Sequence, residues 1–117
     1  MPQLVLEYSS NVIEKDDLTK LLKKINHFLT DSLPADLAAC KSRAFERDVY
    51  CVSDGDARHA FVHVHLKVMA GRTYEKLNDV GNGLMSLLQE YFQTSAKQLA
   101  LQMSLEIQEL QKTYFKT

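Results

Sequence analysis

A group that could accept a proton lies at the start of the sequence, and three cations that could bind an anion follow it. The chain opens Met-Pro, so removal of Met1 would give Pro2 a free secondary amine. An amine is neutral near pH 7 only when burial or nearby positive charge lowers its pKa. Lys41, Arg43 and Arg72 can supply such charge, and cations of this kind also bind carboxylates and stabilise an oxyanion. These residue types suit proton transfer on a small anion, if the fold brings them together.

Two strand-helix-strand units are predicted to position these residues, because the hydrophobic pattern alternates between periods of two and about 3.6 residues. The predicted strands are Pro2–Tyr8, Ala38–Val52, Arg58–Ala70 and Leu99–Leu110. The predicted helices span about Lys15–Asp31 and Thr73–Phe92, with Thr73 as the N-cap of the second. The segment Ser53-Asp54-Gly55-Asp56 is typical of a hairpin turn, so we expect the second and third strands to pair antiparallel.

The predicted fold is α+β, or α/β by connectivity: a duplicated β-α-β unit with one mixed four-stranded sheet and two helices on one face. We expect a single domain over residues 1–117, with pseudo-repeat halves at about 1–57 and 58–110. Each helix has one apolar stripe, so both should cover the same side of the sheet. The other side carries partly apolar residues and needs another cover, which predicts an oligomer.

Composition restricts the partners. Fourteen Lys and Arg against fifteen Asp and Glu give a net charge of −1, so neither nucleic acid nor membrane is an expected partner. The two cysteines, Cys40 and Cys51, are too few for a disulfide framework and are expected to be reduced. The start has no pattern of a signal peptide, and no apolar stretch approaches the roughly 20 residues that span a bilayer. We therefore expect a cytoplasmic protein.

Several segments, in order along the chain, carry a family resemblance. They are the Met-Pro start, Lys41-Ser42-Arg43, Ala60-Phe61-Val62-His63, Ala70-Gly71-Arg72, and Leu105-Glu106-Ile107-Gln108-Glu109-Leu110. On the duplicated β-α-β plan, these segments resemble the 5-carboxymethyl-2-hydroxymuconate isomerase family of the tautomerase superfamily. The likeness runs essentially without gaps from Pro2 to about Leu110.

The resemblance implies an isomerase that catalyses a cofactor-free enol–keto tautomerisation of an unsaturated dicarboxylate in aromatic-compound catabolism. It implies a homotrimer around a central barrel of sheets, which would cover each sheet's second face. It also implies that Pro2 is the catalytic base and that Lys41, Arg43 and Arg72 bind the substrate. Lys41 stands where the best-known members carry a catalytic arginine, a change that keeps the charge and loses the bidentate fork.

Two other functions stay open at this point. One is a tautomerase of another small unsaturated acid, and the other is a non-catalytic trimeric scaffold or ligand-binding protein. His63 and His65 have a spacing that can bind metal, but no further ligand pattern accompanies them, so we predict packing or interface roles and no metal site. The tail from Gln111 to Thr117 is expected to be peripheral.

Overall fold

One mixed four-stranded sheet organises the computed structural model, which describes residues 1–117. The strands are β1 (Gln3–Ser9), β2 (Lys41–Arg47), β3 (His59–Val68) and β4 (Ala100–Glu109). They lie in the order β2-β1-β3-β4. The outer pairs β1–β2 and β3–β4 are parallel and the central pair β1–β3 is antiparallel. Each half is therefore a parallel strand pair joined by a helical crossover, which confirms the duplicated β-α-β plan.

The predicted hairpin between the second and third strands is wrong. β2 ends at Arg47 and pairs only with β1, which lies between β2 and β3. Residues 48–58 form a longer connection, and Asn11 holds its end by donating from Nδ2 to the carbonyl oxygens of Ala57 (3.2 Å) and His59 (2.8 Å). The helical crossover of the first half brings β2 beside β1, and this tertiary constraint overrides the local turn signal.

The two long helices are α1 (Leu18–Ser32) and α2 (Tyr74–Tyr91), and a short helix α3 (Gln93–Gln98) follows that the sequence pattern did not predict. A single 3-10 turn at Leu37–Ala39 leads into β2. Thr73 is the N-cap of α2, since its Oγ1 accepts a hydrogen bond from the backbone N–H of Lys76 at 3.1 Å. No helix combines the length and the apolar character needed to cross a membrane.

The hydrophobic core lies between the sheet and the long helices. Its buried side chains on β1 and β3 are Leu4, Leu6, Tyr8, Ala60, Val62, Val64, Leu66 and Val68, and those on α1 and α2 are Leu18, Leu21, Ile25, Leu29, Val80, Leu84 and Leu88. The helices approach closely where Gly83 of α2 meets the ring of Phe28. A Cβ at position 83 would lie 2.3 Å from Phe28 Cζ, so only glycine fits there without a shift of the ring.

The other face of the sheet has no helix over it and is covered only at its ends, where Tyr50 packs edge-on against Phe61 and Tyr114 bonds to Gln3. His63 and His65 lie on it, and both contact β4. His63 Nδ1 lies 2.7 Å from Ser104 Oγ, and His65 Nε2 lies 2.9 Å from Gln108 Oε1. Arg47 Nε also pairs with Glu7 Oε2 across the strands at 2.9 Å. We call this surface the open face.

Ser95 in α3 ties the end of the helical layer to the segment before α1. The residue is fully buried; its hydroxyl donates to the Glu14 carboxylate and accepts from the Ile13 N–H at 2.9 Å. Ser95→Ala should lower the free energy of unfolding by about 2 kcal/mol, because the Ile13 N–H and the Glu14 carboxylate lose a partly buried hydrogen-bond partner. Urea unfolding at fixed protein concentration measures the change.

The matched control for this prediction is Ser86→Ala. Ser86 is exposed on α2 and donates only to the Asn82 carbonyl at 3.1 Å. Its loss should change the free energy of unfolding by less than about 0.5 kcal/mol. Equal effects of the two substitutions would contradict a structural role for the Ser95–Glu14 contact.

Candidate active site

The start of β1 lies at an edge of the sheet where all four strands begin or end. In the strand register, Gln3 is opposite Lys41 at the start of β2 and opposite Lys67 near the end of β3. Lys67 in turn is opposite Gln108 near the end of β4. The residues before Gln3 therefore sit among three neighbouring chain segments, where side chains from several elements can converge.

Pro2 is buried at this edge. It continues the alternation of Leu4 and Leu6, so its ring lies on the helix-covered side of the sheet. Its carbonyl oxygen accepts a hydrogen bond from the backbone N–H of Lys41 at 3.1 Å, which extends the β1–β2 ladder by one residue. Met1 precedes it and is half-buried. The proline nitrogen is thus placed by the backbone of two strands.

Arg72 reaches this edge from the connection between β3 and α2. Gly71 before it has φ +110°, a conformation that side chains disfavour, so a glycine is needed to turn the chain there. The guanidinium then donates from Nη1 to the Met69 carbonyl (2.9 Å) and from Nη2 to the Leu33 carbonyl (3.1 Å). Leu33 is the C-cap of α1, so a cation also suits the negative end of that helix.

The two predicted cations of β2 are placed differently. Lys41, the first residue of β2, lines the cleft beside Met1. Arg43 lies two residues further on, and its Nη1 donates to Gln3 Oε1 at 2.9 Å. Arg43 and Lys41 share the open face, but Arg43 is two residues further from the start of β2. It therefore contacts Gln3, the residue next to Pro2, and does not line the cleft.

The C-terminal tail completes the cleft, which has a volume of about 430 Å³ and is lined by Met1, Lys41, Tyr114, Phe115, Lys116 and Thr117. The tail was expected to be peripheral, but it folds back over the start of β1. Tyr114 holds it there, since its hydroxyl accepts a hydrogen bond from Gln3 Nε2 at 3.2 Å. No periodicity in Gln111–Thr117 indicates this contact, and Lys116 was therefore missed as a candidate residue.

The electrostatics of this edge favour a neutral terminal amine. The pKa of the Met1 amine is lowered from its ordinary value of 8.0, first by burial and then by the positive charges of Arg72, Lys116 and Lys41. Cys40 acts in the opposite direction. Both burial and like charge disfavour the protonated form, so an amine at this position is a better base near pH 7 than one in water.

A second groove has a volume of about 480 Å³ and lies between α2 and β4. Its lining includes Tyr74, Leu77, Met85, Leu105 and Ile107, with no charged side chain. Its one titratable side chain is Tyr74, and it has no cation that could bind a carboxylate. The smaller cleft at the start of β1 is therefore the candidate active site, because it combines the start of the chain with the cations Lys41 and Lys116.

A duplicated β-α-β sheet with a basic cleft at its N-terminal strand defines a protein of the tautomerase fold. In structural comparison, a symmetric trimer of fused 4-OT has a TM-score of 0.70 at 21% identity, covering 97% of this chain and 89% of that one. At that identity the likeness shows the fold alone.

The sequence comparisons are more specific. The family model described as 5-carboxymethyl-2-hydroxymuconate isomerase matches residues 2–117. The chain is 34% identical over 113 residues to the 5-carboxymethyl-2-hydroxymuconate Delta-isomerase of Escherichia coli, covering 97% of this chain and 90% of that protein. A crystal structure of a 5-carboxymethyl-2-hydroxymuconate isomerase from Deinococcus radiodurans R1 has a TM-score of 0.91 at 30% identity, covering 99% of this chain and 88% of that one. The chain belongs to the 5-carboxymethyl-2-hydroxymuconate isomerase family, and it is an isomerase.

Proposed function

We propose that this protein tautomerises 5-carboxymethyl-2-hydroxymuconate, or a close analogue, from its enol to its keto form without a cofactor, in aromatic-compound catabolism. The observation that carries the proposal is the placement of the chain's first residues. They lie in a cleft lined by Lys41 and Lys116. Burial, together with these two cations and the nearby Arg72, lowers the pKa of the Met1 amine there. Family membership supplies the reaction type, and the cleft supplies the chemistry that such a reaction needs.

In the proposed mechanism, Met1 is removed and Pro2 is the base. With Met1 attached, the Pro2 nitrogen is a tertiary amide with no basic lone pair. Once freed, the amine lies one residue deeper than the Met1 amine, and Pro2 is buried where Met1 is only half-buried. It takes the proton of the enol hydroxyl to give a dienolate, and the resulting ammonium returns a proton to carbon. The reaction is a net proton shift and needs no oxidant or reductant.

The cations have two roles in this proposal. They bind the substrate carboxylates, Arg72 as a fork and Lys41 as a point charge. They also stabilise the negative charge of the dienolate oxygen as it forms. Arg43 does not line the cleft. We propose that it binds substrate from the open face of the sheet, where it is bonded to Gln3.

We propose that residues 1–117 act as one domain in a cytoplasmic homotrimer. The open face supports a trimer, because it presents half-buried apolar and histidine side chains over which no helix of the chain packs. A trimer is also the assembly that the name of the fused 4-OT neighbour describes. Sedimentation measurements test this part of the proposal directly.

The pH dependence of the reaction tests the mechanism. The neutral amine is the active form, and the surroundings that lower the pKa of the Met1 amine should lower that of the Pro2 amine too. The rate constant kcat/KM should therefore fall on the acid side, with a midpoint below the pKa of an unstructured peptide that begins with Pro2-Gln3-Leu4. Ultraviolet detection of enol-to-keto conversion measures the rate on protein whose loss of Met1 is verified by intact mass. A midpoint at or above the pKa of that peptide would contradict the proposed tuning of the base.

The same assay separates the alternatives. Faster conversion of another small unsaturated acid would indicate a different tautomerase, consistent with Lys41 in place of an arginine. A mass-verified protein that converts none of these acids would favour a scaffold or ligand-binding role.

A further inference from the structure

The C-terminal tail is an addition to the duplicated β-α-β plan, and it is anchored beside the cleft. Leu110, the residue before it, donates its backbone N–H to the Val68 carbonyl at 2.7 Å, in line with the β3–β4 ladder. The chain then turns, with the Tyr114 N–H bonded to the Gln111 carbonyl at 3.1 Å. The Tyr114 hydroxyl contacts Gln3 as described above. The tail therefore has a defined course that brings the residues after Tyr114 to the start of β1.

Lys116 is a cation of the cleft without an acidic partner. The ion pairs of the chain are Lys15–Glu46, Arg47–Glu7, Arg58–Asp56 and His59–Asp54. None of them includes Lys116, Lys41 or Arg72. Three cations from three separate elements thus lie near the start of β1 without forming an ion pair. Two carboxyl groups lie nearby, that of Glu109, which accepts from the Gly71 N–H at 3.2 Å, and that of Thr117, the last residue, which lines the cleft. A site of this kind fits a ligand that carries several negative charges.

The number of carboxylates on the proposed substrate equals the number of these cations. Muconate has two carboxylates, and the carboxymethyl substituent adds a third, so this substrate is a tricarboxylate built on the dicarboxylate skeleton that the resemblance implies. Lys41 and Arg72 are held within the β-α-β framework, so they suit the two carboxylates of the parent muconate. Lys116 comes from outside that framework and lies exposed on the tail side of the cleft. That side is where a substituent branching from the main chain of the substrate has room.

We propose that Lys116 binds the carboxymethyl carboxylate, so that the C-terminal tail selects the substituted substrate over unsubstituted 2-hydroxymuconate. The inference rests on the proposed function and names a specificity residue for it. Lys116 does not touch the reacting atoms in this account. Its contact is with the substituent, and the lysine stem gives the reach that this exposed position needs.

The test is the ratio of kcat/KM for 5-carboxymethyl-2-hydroxymuconate to that for 2-hydroxymuconate. In Lys116→Gln the ratio should fall about tenfold, as expected for the loss of one charge-assisted contact. Because both substrates use the same amine, the ratio cancels any effect of the substitution on the pKa of the base. The charge-matched control is Lys112→Gln, since Lys112 is an exposed lysine of the same tail that does not line this cleft. There the ratio should change by less than about twofold.

A binding measurement gives a second readout that does not depend on turnover. Calorimetry is done with adipate and with the saturated tricarboxylate that has the carbon skeleton of the substituted substrate. The wild-type preference for the tricarboxylate should be lost in Lys116→Gln and kept in Lys112→Gln. A preference that survives in Lys116→Gln, or a kcat/KM ratio equal to that of wild type, would overturn the inference. Wild-type protein that binds these acids but converts neither enol would refute the proposed function. The calorimetric preference in Lys116→Gln would then still decide whether Lys116 binds the third carboxylate.

Discussion

Pro2→Ala, in protein whose Met1 has been removed, should lower kcat/KM by at least about 100-fold. A positioned general base contributes roughly 10²- to 10⁴-fold. Alanine keeps a terminal amine, but it lacks the ring that fixes φ and so does not hold the nitrogen in one place. The ultraviolet assay with 5-carboxymethyl-2-hydroxymuconate measures the loss.

Two controls make this result specific to the base. Wild-type protein that retains Met1, verified by mass, should be inactive, because its Pro2 nitrogen is an amide. The thermal unfolding midpoint of Pro2→Ala should be compared with that of wild type, since Pro2 is buried and its loss can also affect packing. Equal rates for the processed wild type and Pro2→Ala would rule out proline as the base.

Arg72→Ala should lower kcat/KM for the carboxylate substrate by roughly 10- to 100-fold, the value of a charge-assisted hydrogen bond. The acid limb of kcat/KM should also move to higher pH. Arg72 is the largest charge contribution to the lowered pKa of the terminal amine, so its removal lets that pKa rise. The neutral base is then populated only at higher pH. A full pH–rate profile of the variant measures both effects.

The controls for Arg72 separate binding from folding. The guanidinium also bonds to Leu33 and Met69, so Arg72→Ala should be assayed beside Arg72→Lys, which keeps the charge and loses the fork. Arg58→Ala removes an exposed arginine at the opposite edge of the sheet and should leave the profile unchanged. A neutral enol should lose much less than the carboxylate substrate in Arg72→Ala. Similar losses for both would argue against carboxylate binding.

The periodic parts of the fold could be predicted from sequence because burial imposes them. The alternation in β3 and the stripe on α2 each reflect one face packed on the core, and Thr73 has the short hydroxyl side chain that N-caps require. The Met-Pro start and the Lys41 and Arg72 segments indicated the edge of the sheet where the cleft lies. The alternation, the helix stripe and the N-cap are local signals. The position of the cleft follows from the strand ends that lie together in the sheet.

Strand order and the tail could not be predicted in the same way. The Asp54-Gly55 dipeptide has a local turn preference, whereas the neighbour of β2 is decided by the crossover through α1 and by contacts such as Asn11 to His59. Lys116 lies in a segment with no periodicity, and its place depends on one hydrogen bond between Tyr114 and Gln3, 111 residues apart in sequence. Such contacts become visible only in three dimensions.

The pairing of β1 on both sides has a consequence for the proposed base. Most general bases are side-chain groups, and holding a lysine in one rotamer costs up to about 2 kcal/mol of conformational entropy. The amine of a proline that starts a central strand has no side-chain torsion to freeze, since ring closure and the β-ladder set its direction. The direction of the nitrogen lone pair is then set by the main chain. Substitutions elsewhere in the core can change side-chain packing without changing that direction.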